Sequence, residues 1–171
     1  MKQILILRHA KSSWDDETLE DFERPLSQRG LDDAPRIGKY LRKLKRKPDV
    51  IVSSSAQRTK ETAKLVTEHM KVDESIITWN KDLYYGSAMD YLKVIQNASA
   101  DVDRIMLVGH NPKVEQTVGA LIGNVEAPNL RMPTAAIACV NTYAINWEQV
   151  HWGTCQLEWL IIPKALNNVI E

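Results

Sequence analysis

Three runs of branched apolar residues stand out along this chain and predict the central strands of a sheet. They occupy residues 4–7, 50–52 and 105–108. A run that is apolar at every position is typical of a strand covered on both faces, as in α/β proteins with parallel sheets. The pattern therefore predicts parallel, adjacent strands with helices packed on both sides.

The segments between these runs carry apolar residues at helical spacing. Helices are predicted over residues 56–70, 89–96 and from about 112 to 122, with Gly123 ending the last. Another helical region starts near Ser27. Because Asp33 suits an N-cap and Pro35 is tolerated in a first turn, we predict a short turn there, then a helix from Asp33 to about Lys45.

The rest of the chain predicts loops and edge strands. A polar stretch over residues 11–24 is expected to form a long loop, with a helical turn at most, over a functional site at the end of the first strand. Residues 76–79 form a short strand in this prediction, and residues 82–86 and 124–134 form loops. Residues 136–145 and 154–162 alternate like strands and are expected to form an antiparallel pair joined by a short turn.

Each of the three apolar runs is followed by residues suited to binding an anion. Arg8 and His9 follow the first strand, Arg58 begins the helix after the second, and His110 follows the third. Each residue alone is more often structural or on the surface. Because ligands bind beyond the carboxyl ends of parallel strands, the coincidence of all four predicts a phosphoryl site.

Composition narrows the class of protein. The 171 residues are predicted to form one domain, spanning 1–171, and 22 basic residues balance 22 acidic ones. This balance argues against a nucleic-acid or membrane-surface protein, and the basic run at residues 42–47 is interpreted as a solvated helix end.

Cys139 and Cys155 have no metal-site spacing; they are expected to be buried thiols, with a single disulfide as the alternative. The first apolar run is too short for a signal peptide, so the expected location is the cytoplasm.

Three motifs resemble those of the histidine phosphatase superfamily, also called phosphoglycerate mutase-like. They begin at Arg8-His9, at Ser53 before Arg58, and at Val108 before His110. The small size and the segments at residues 24–30 and 133–136 are similar to the SixA-type phosphohistidine phosphatase branch. The resemblance implies a three-layer α/β/α sandwich with a mostly parallel central sheet, which the antiparallel pair completes.

The resemblance also implies roles for the residues. His9 is the nucleophile that forms a covalent phosphohistidine, Arg8 and Arg58 grip the phosphoryl oxygens, and His110, protonated beside the phosphate, donates to another oxygen. No metal or other cofactor is implied. The further substrate-binding candidates are Ser12, Asp15 and Arg24; Arg24 either contacts substrate or pairs with the neighbouring acids Asp21 and Glu23.

Two departures bear on the substrate. Asp15 stands where many larger members have an asparagine, and the loop at residues 82–86 has tyrosines about where they have a general-acid glutamate. An alkoxide leaving group needs a proton, whereas the imidazole of phosphohistidine needs less help. The departures favour phosphorylated protein histidine, although Asp15 or Asp82 remains an alternative acid. A small phosphorylated molecule is the second candidate substrate, and a phosphate-binding module without turnover is the third interpretation.

Overall fold

A computed structural model describes residues 1–123 and 129–166, which form one six-stranded sheet. Along the chain the strands are β1 (Lys2–Arg8), β2 (Val50–Ser54), β3 (Ile77–Asn80), β4 (Arg104–Gly109), β5 (Ile137–Thr142) and β6 (Cys155–Ile161). Their order across the sheet is β3-β2-β4-β1-β5-β6. The first four strands are parallel, and β5 and β6 run antiparallel at one edge.

The register brings the carboxyl ends of three strands together. β4 lies between β1 and β2, with Arg8 opposite Gly109 and Ser53 opposite Val108. The prediction of parallel, adjacent strands is confirmed. The residues that follow these strands therefore meet at one edge of the sheet.

Helices cover both faces of the sheet, so the three-layer prediction is confirmed. They are α1 (Gln28–Lys43), α2 (Gln57–Met70), α3 (Asp82–Tyr85), α4 (Ala88–Gln96) and α5 (Lys113–Leu121). Successive strand residues point to opposite faces. Ile4 and Ile6 therefore join the core under α4 and α5, whereas Leu5 and Leu7 join the core under α1 and α2.

The predicted break before Pro35 is wrong. α1 is continuous, and Ser27 is its N-cap, accepting a hydrogen bond from the Gly30 N–H. Asp33 is buried inside the helix and forms ion pairs with Arg29 and Arg36, each at 3.3 Å. An internal proline costs a helix about 3 kcal/mol. The burial of α1 against the sheet and α2 offsets this cost, a tertiary effect that local propensity does not contain.

Other boundaries also differ from the prediction. Residues 82–85 form the short helix α3 where a loop was expected. β5 and β6 are joined by residues 143–154 and not by a short turn, because Trp147 in this connection is buried and its Nε1 donates to the Val102 carbonyl at 2.9 Å. Of the loop predicted at residues 124–134, the first five lie outside the described residues.

The two cysteines form no disulfide: Cys139 and Cys155 are both buried, free thiols. Burial, with Glu158 alongside, raises the pKa of the Cys139 thiol to about 12, so it stays protonated and unreactive.

Within residues 1–123 and 129–166 we find no helix of the length and apolarity that crossing a membrane requires.

Candidate active site

His9 lies at the base of the site, directly after β1. Its backbone N–H donates to the Gly109 carbonyl and its carbonyl accepts from Ala135, both at 3.0 Å. Its side-chain Nδ1 is 2.7 Å from the Ala10 carbonyl oxygen. Because a carbonyl only accepts, Nδ1 carries the proton and Nε2 keeps its lone pair. Thr62 fixes this arrangement, since its hydroxyl accepts the Ala10 N–H at 3.0 Å.

The surroundings of His9 keep its ring neutral. Burial lowers its pKa to about 3, against the opposing effect of the Ala10 carbonyl. The charges of Arg58, Arg8 and Arg24 lower it further. An imidazole that is unprotonated at neutral pH and has a free Nε2 lone pair can act as a nucleophile.

His110 follows β4 and faces His9, with 5.1 Å between the ring centroids. Its Nε2 shares a hydrogen bond of 2.8 Å with the Ser54 hydroxyl at the end of β2. Its Nδ1 is buried and has no hydrogen-bond partner among the residues that the structure describes. Gly109 before it is required, because a Cβ there would lie 1.8 Å from the Tyr91 hydroxyl.

The free site holds His110 in its neutral form. Burial lowers its pKa to about 2, and the positive charges of Arg58 and Lys113 lower it further. The expected protonated His110 is therefore not its state in the ligand-free site. A neutral ring with hydrogen on Nδ1 can still donate one hydrogen bond to an anion.

Arg8 and Arg58 supply the cations. Arg8 donates through Nη1 to the Met132 carbonyl at 2.9 Å, whereas its Nε is buried and unpartnered within the described parts of the chain. Arg58 lies in the first turn of α2, where helix N–H groups and the helix dipole also favour an anion. It is buried and donates through Nη2 to Asp21 Oδ2 at 2.8 Å and through Nη1 to the Asp21 carbonyl.

The structure brings Arg24 to the same site. Its Nη1 donates to Asp21 Oδ1 at 2.9 Å. The predicted pairing of Arg24 with a neighbouring acid is therefore present, and the acid is Asp21. Its Nη2 donates to the Ser12 hydroxyl at 2.7 Å, and its guanidinium carbon lies 3.1 Å from the centre of the Trp14 ring. Ser12 therefore positions Arg24. Asp15 is exposed, and its backbone N–H donates to the Ser13 hydroxyl at 2.9 Å.

Two residues enter the site that were not among its predicted catalytic or substrate-binding residues. Asp21 accepts from both Arg24 and Arg58, and it also accepts from the Tyr84 hydroxyl at 2.7 Å. The Tyr84 ring meets His110 edge to face at 5.2 Å, and the Lys113 ammonium donates to the Tyr84 carbonyl. Asp21 and Tyr84 are 63 residues apart, so no local spacing signals their contact.

Taken together, the site offers a neutral imidazole with an available lone pair, surrounded by guanidinium groups. Such a set suits a tetrahedral oxyanion, because guanidinium groups match its charged oxygens and the imidazole can attack its central atom. Within residues 1–123 and 129–166 no group of three or more His, Cys, Asp or Glu side chains could hold a metal ion.

Comparison with known proteins agrees with this geometry. Residues 4–88 match the model of the histidine phosphatase superfamily, branch 1. The chain is 32% identical over 178 residues to an uncharacterized chloroplastic protein of Arabidopsis thaliana, covering 96% of this chain and 79% of that one. It therefore belongs to the histidine phosphatase superfamily, and its 28% identity to a SixA protein places it in the SixA-type branch.

Solved structures show the same fold. SixA from Agrobacterium tumefaciens is 28% identical, with a TM-score of 0.78 over 95% of this chain and 98% of that chain. The protein histidine phosphatase SixA in complex with tungstate is 24% identical, with a TM-score of 0.79 over 96% of this chain and 99% of that chain. The second likeness shows the fold alone.

Proposed function

We propose that this protein is a metal-independent phosphatase that removes phosphate from protein phosphohistidine through a covalent phospho-His9 intermediate. The observation that carries the proposal is the 2.7 Å contact between His9 Nδ1 and the Ala10 carbonyl. This contact fixes the proton on Nδ1 and leaves the lone pair of Nε2 free to attack phosphorus. Membership of a phosphatase superfamily supports the same chemistry.

In the first step His9 Nε2 forms a bond to phosphorus while the bond to the leaving group breaks. Arg8 and Arg58 hold the phosphoryl oxygens, and His110 donates to another. Because these donors are already in place, they stabilise the charge of the transition state without reorganisation. In the second step water attacks phosphorus and the bond between phosphorus and His9 Nε2 breaks. Phosphate leaves with the oxygen and both protons of the water, and the His9 imidazole returns to its neutral form.

Phosphohistidine is favoured over phosphate esters by the residues around the leaving group. Tyr84 lies against His110, about where larger relatives have the general-acid glutamate. Burial raises the pKa of the Tyr84 phenol, so it is a weak acid for an alkoxide leaving group. An imidazole leaves a P–N bond with less help. A small phosphoester is the second candidate substrate, whereas a binding module without turnover would not need His9 held as a nucleophile.

The proposed partner is thus a phosphorylated protein, with neither nucleic acid nor a membrane surface involved. We also propose a cytoplasmic location. The two buried free thiols support a reducing compartment.

The experiment is a substrate screen. Purified protein is assayed for phosphate release from a phosphohistidine peptide, 4-nitrophenyl phosphate and an alkyl phosphate such as glycerol phosphate. The proposal predicts the highest kcat/KM for the phosphohistidine peptide and the lowest for the alkyl phosphate. Equal kcat/KM values for the phosphohistidine peptide and the alkyl phosphate would contradict the assignment of substrate.

A further inference from the structure

Asp21 contacts two of the arginines in the site, Arg24 and Arg58, and the proposed phosphatase mechanism gives it no role. Its Oδ1 accepts from Arg24 at 2.9 Å, and its Oδ2 accepts from Arg58 at 2.8 Å and from the Tyr84 hydroxyl at 2.7 Å. A carboxylate has about four lone-pair positions. Three are occupied, so Oδ1 can accept one more hydrogen bond.

Asp21 lies nearer to solvent than His9 does. His9 is 8% exposed at the base of the site, whereas the Asp21 side chain is 51% exposed. A substrate side chain approaches from solvent, and its leaving group points away from the attacking nitrogen. A cleft of about 210 Å³ opens beside Asp21, lined by Trp14, Asp16, Glu17, Leu19, Asp21 and Arg24. Asp21 therefore contacts Arg58 in the site on one side and lines this cleft on the other.

The charge of Asp21 is unusual for a site that binds phosphate. Hydrogen bonds from Tyr84, Arg58 and Arg24 outweigh its burial and lower its pKa to about 2, so it is ionised at neutral pH. A fixed negative charge repels the oxygens of any phosphate. It attracts a ring N–H, which phosphohistidine has in its protonated, cationic form and a phosphate ester lacks.

We propose that Asp21 determines specificity by accepting the N–H of the substrate imidazole, on the ring nitrogen that does not carry phosphorus. This inference rests on the proposed function and names the residue that recognises the leaving group. His9 Nε2 bonds to phosphorus, the P–N bond of the substrate breaks, and its electron pair returns to the substrate ring. The ring then leaves as neutral imidazole, with its N–H still donated to Asp21, and no outside proton is consumed.

The two imidazoles in this exchange are held alike. The proton on the far nitrogen of His9 is donated to the Ala10 carbonyl. The proton on the far nitrogen of the substrate ring is donated to Asp21. Asp21 stabilises the cationic, phosphorylated form of the substrate ring before the transfer. The Ala10 carbonyl stabilises the cationic, phosphorylated form of His9 after it.

The test compares Asp21→Asn with the wild type on two substrates, a phosphohistidine peptide and 4-nitrophenyl phosphate. The measured quantity is the ratio of their kcat/KM values. Because the amide loses the negative charge, the ratio should fall by about tenfold or more, with most of the loss in kcat for phosphohistidine. Glu23→Gln, which removes one exposed charge from the same segment, is the matched control and should leave the ratio unchanged.

Other outcomes would overturn the inference. If both substrates lose activity equally, Asp21 merely positions Arg24 and Arg58. If both gain activity equally, Asp21 merely competes with phosphate for the arginines. In either case the wild type still hydrolyses phosphohistidine and the proposed function stands. A wild type that cleaves 4-nitrophenyl phosphate but no phosphohistidine would instead refute the proposed function.

Discussion

The hydrogen bond between Ser54 and His110 offers a sharp test of how the site is built. Ser54 is fully buried, and His110 is 5% exposed. The Ser54 hydroxyl is the partner of His110 Nε2 at 2.8 Å, and His110 Nδ1 has no partner in the described residues. Replacing Ser54 by alanine therefore leaves both ring nitrogens of a buried histidine without a hydrogen bond.

The size of the effect follows from this count. A buried polar atom left unsatisfied costs about 1–3 kcal/mol. The Ala56 N–H also donates to Ser54 Oγ, at a long 3.4 Å, so its loss adds little. Ser54→Ala should therefore lower the free energy of unfolding by about 1–3 kcal/mol. A His110 ring free to rotate should also lower kcat by about tenfold, because a displaced donor stabilises the transition state less.

The adjacent serine provides the control. The Ser55 hydroxyl is buried but has no hydrogen-bond partner among the described residues. Ser55→Ala removes the same atom one residue away and leaves nothing unsatisfied, so its free energy of unfolding should equal or exceed that of the wild type. Urea denaturation gives both free energies, and steady-state kinetics gives kcat. Equal free energies of unfolding for the two variants would refute the reasoning about Ser54.

Three more outcomes follow from the site. Arg58→Ala should lose about 100-fold in kcat, because one preorganised donor to the transition state is removed, and a change in KM alone would contradict this role. Activity should survive exhaustive EDTA treatment, because side chains supply both nucleophile and positive charge; a loss restored by a divalent ion would argue otherwise. In NMR titrations of the folded protein, His9 and His110 should remain neutral from pH 8 down to pH 5, since burial lowers their pKa values to about 3 and about 2. In denaturant both should titrate near the ordinary histidine pKa of about 6.5, and folded-state titration near that value would contradict the burial argument.

The sequence predicted the centre of the site well because that centre depends on strand topology. Arg8, His9 and His110 follow apolar runs directly, and Arg58 follows one by a few residues. Parallel neighbours necessarily bring such residues to one edge. The apolar pattern alone therefore sufficed to place the four residues near one another.

The periphery of the site could not be predicted in the same way. Asp21 and Tyr84 meet only because the one-turn 3-10 helix Asp21–Glu23 and the short helix α3 come together beside Arg58, and neither segment has a periodic pattern. The continuous α1 was missed for a related reason: Pro35 marks a local break, and only the tertiary burial of the helix compensates for it. The spacing of residues within a short segment does not predict contacts between distant segments. It also does not predict tertiary burial that compensates for local strain.

The covalent intermediate tests the central claim most directly. Protein mixed with a ³²P-labelled substrate is quenched within a turnover, and the labelled peptide is mapped. We predict acid-labile label on the peptide containing His9, label that disappears as phosphate is released, and none in a folded His9→Ala variant. Turnover without labelled protein, or label on another residue, would contradict the proposed mechanism.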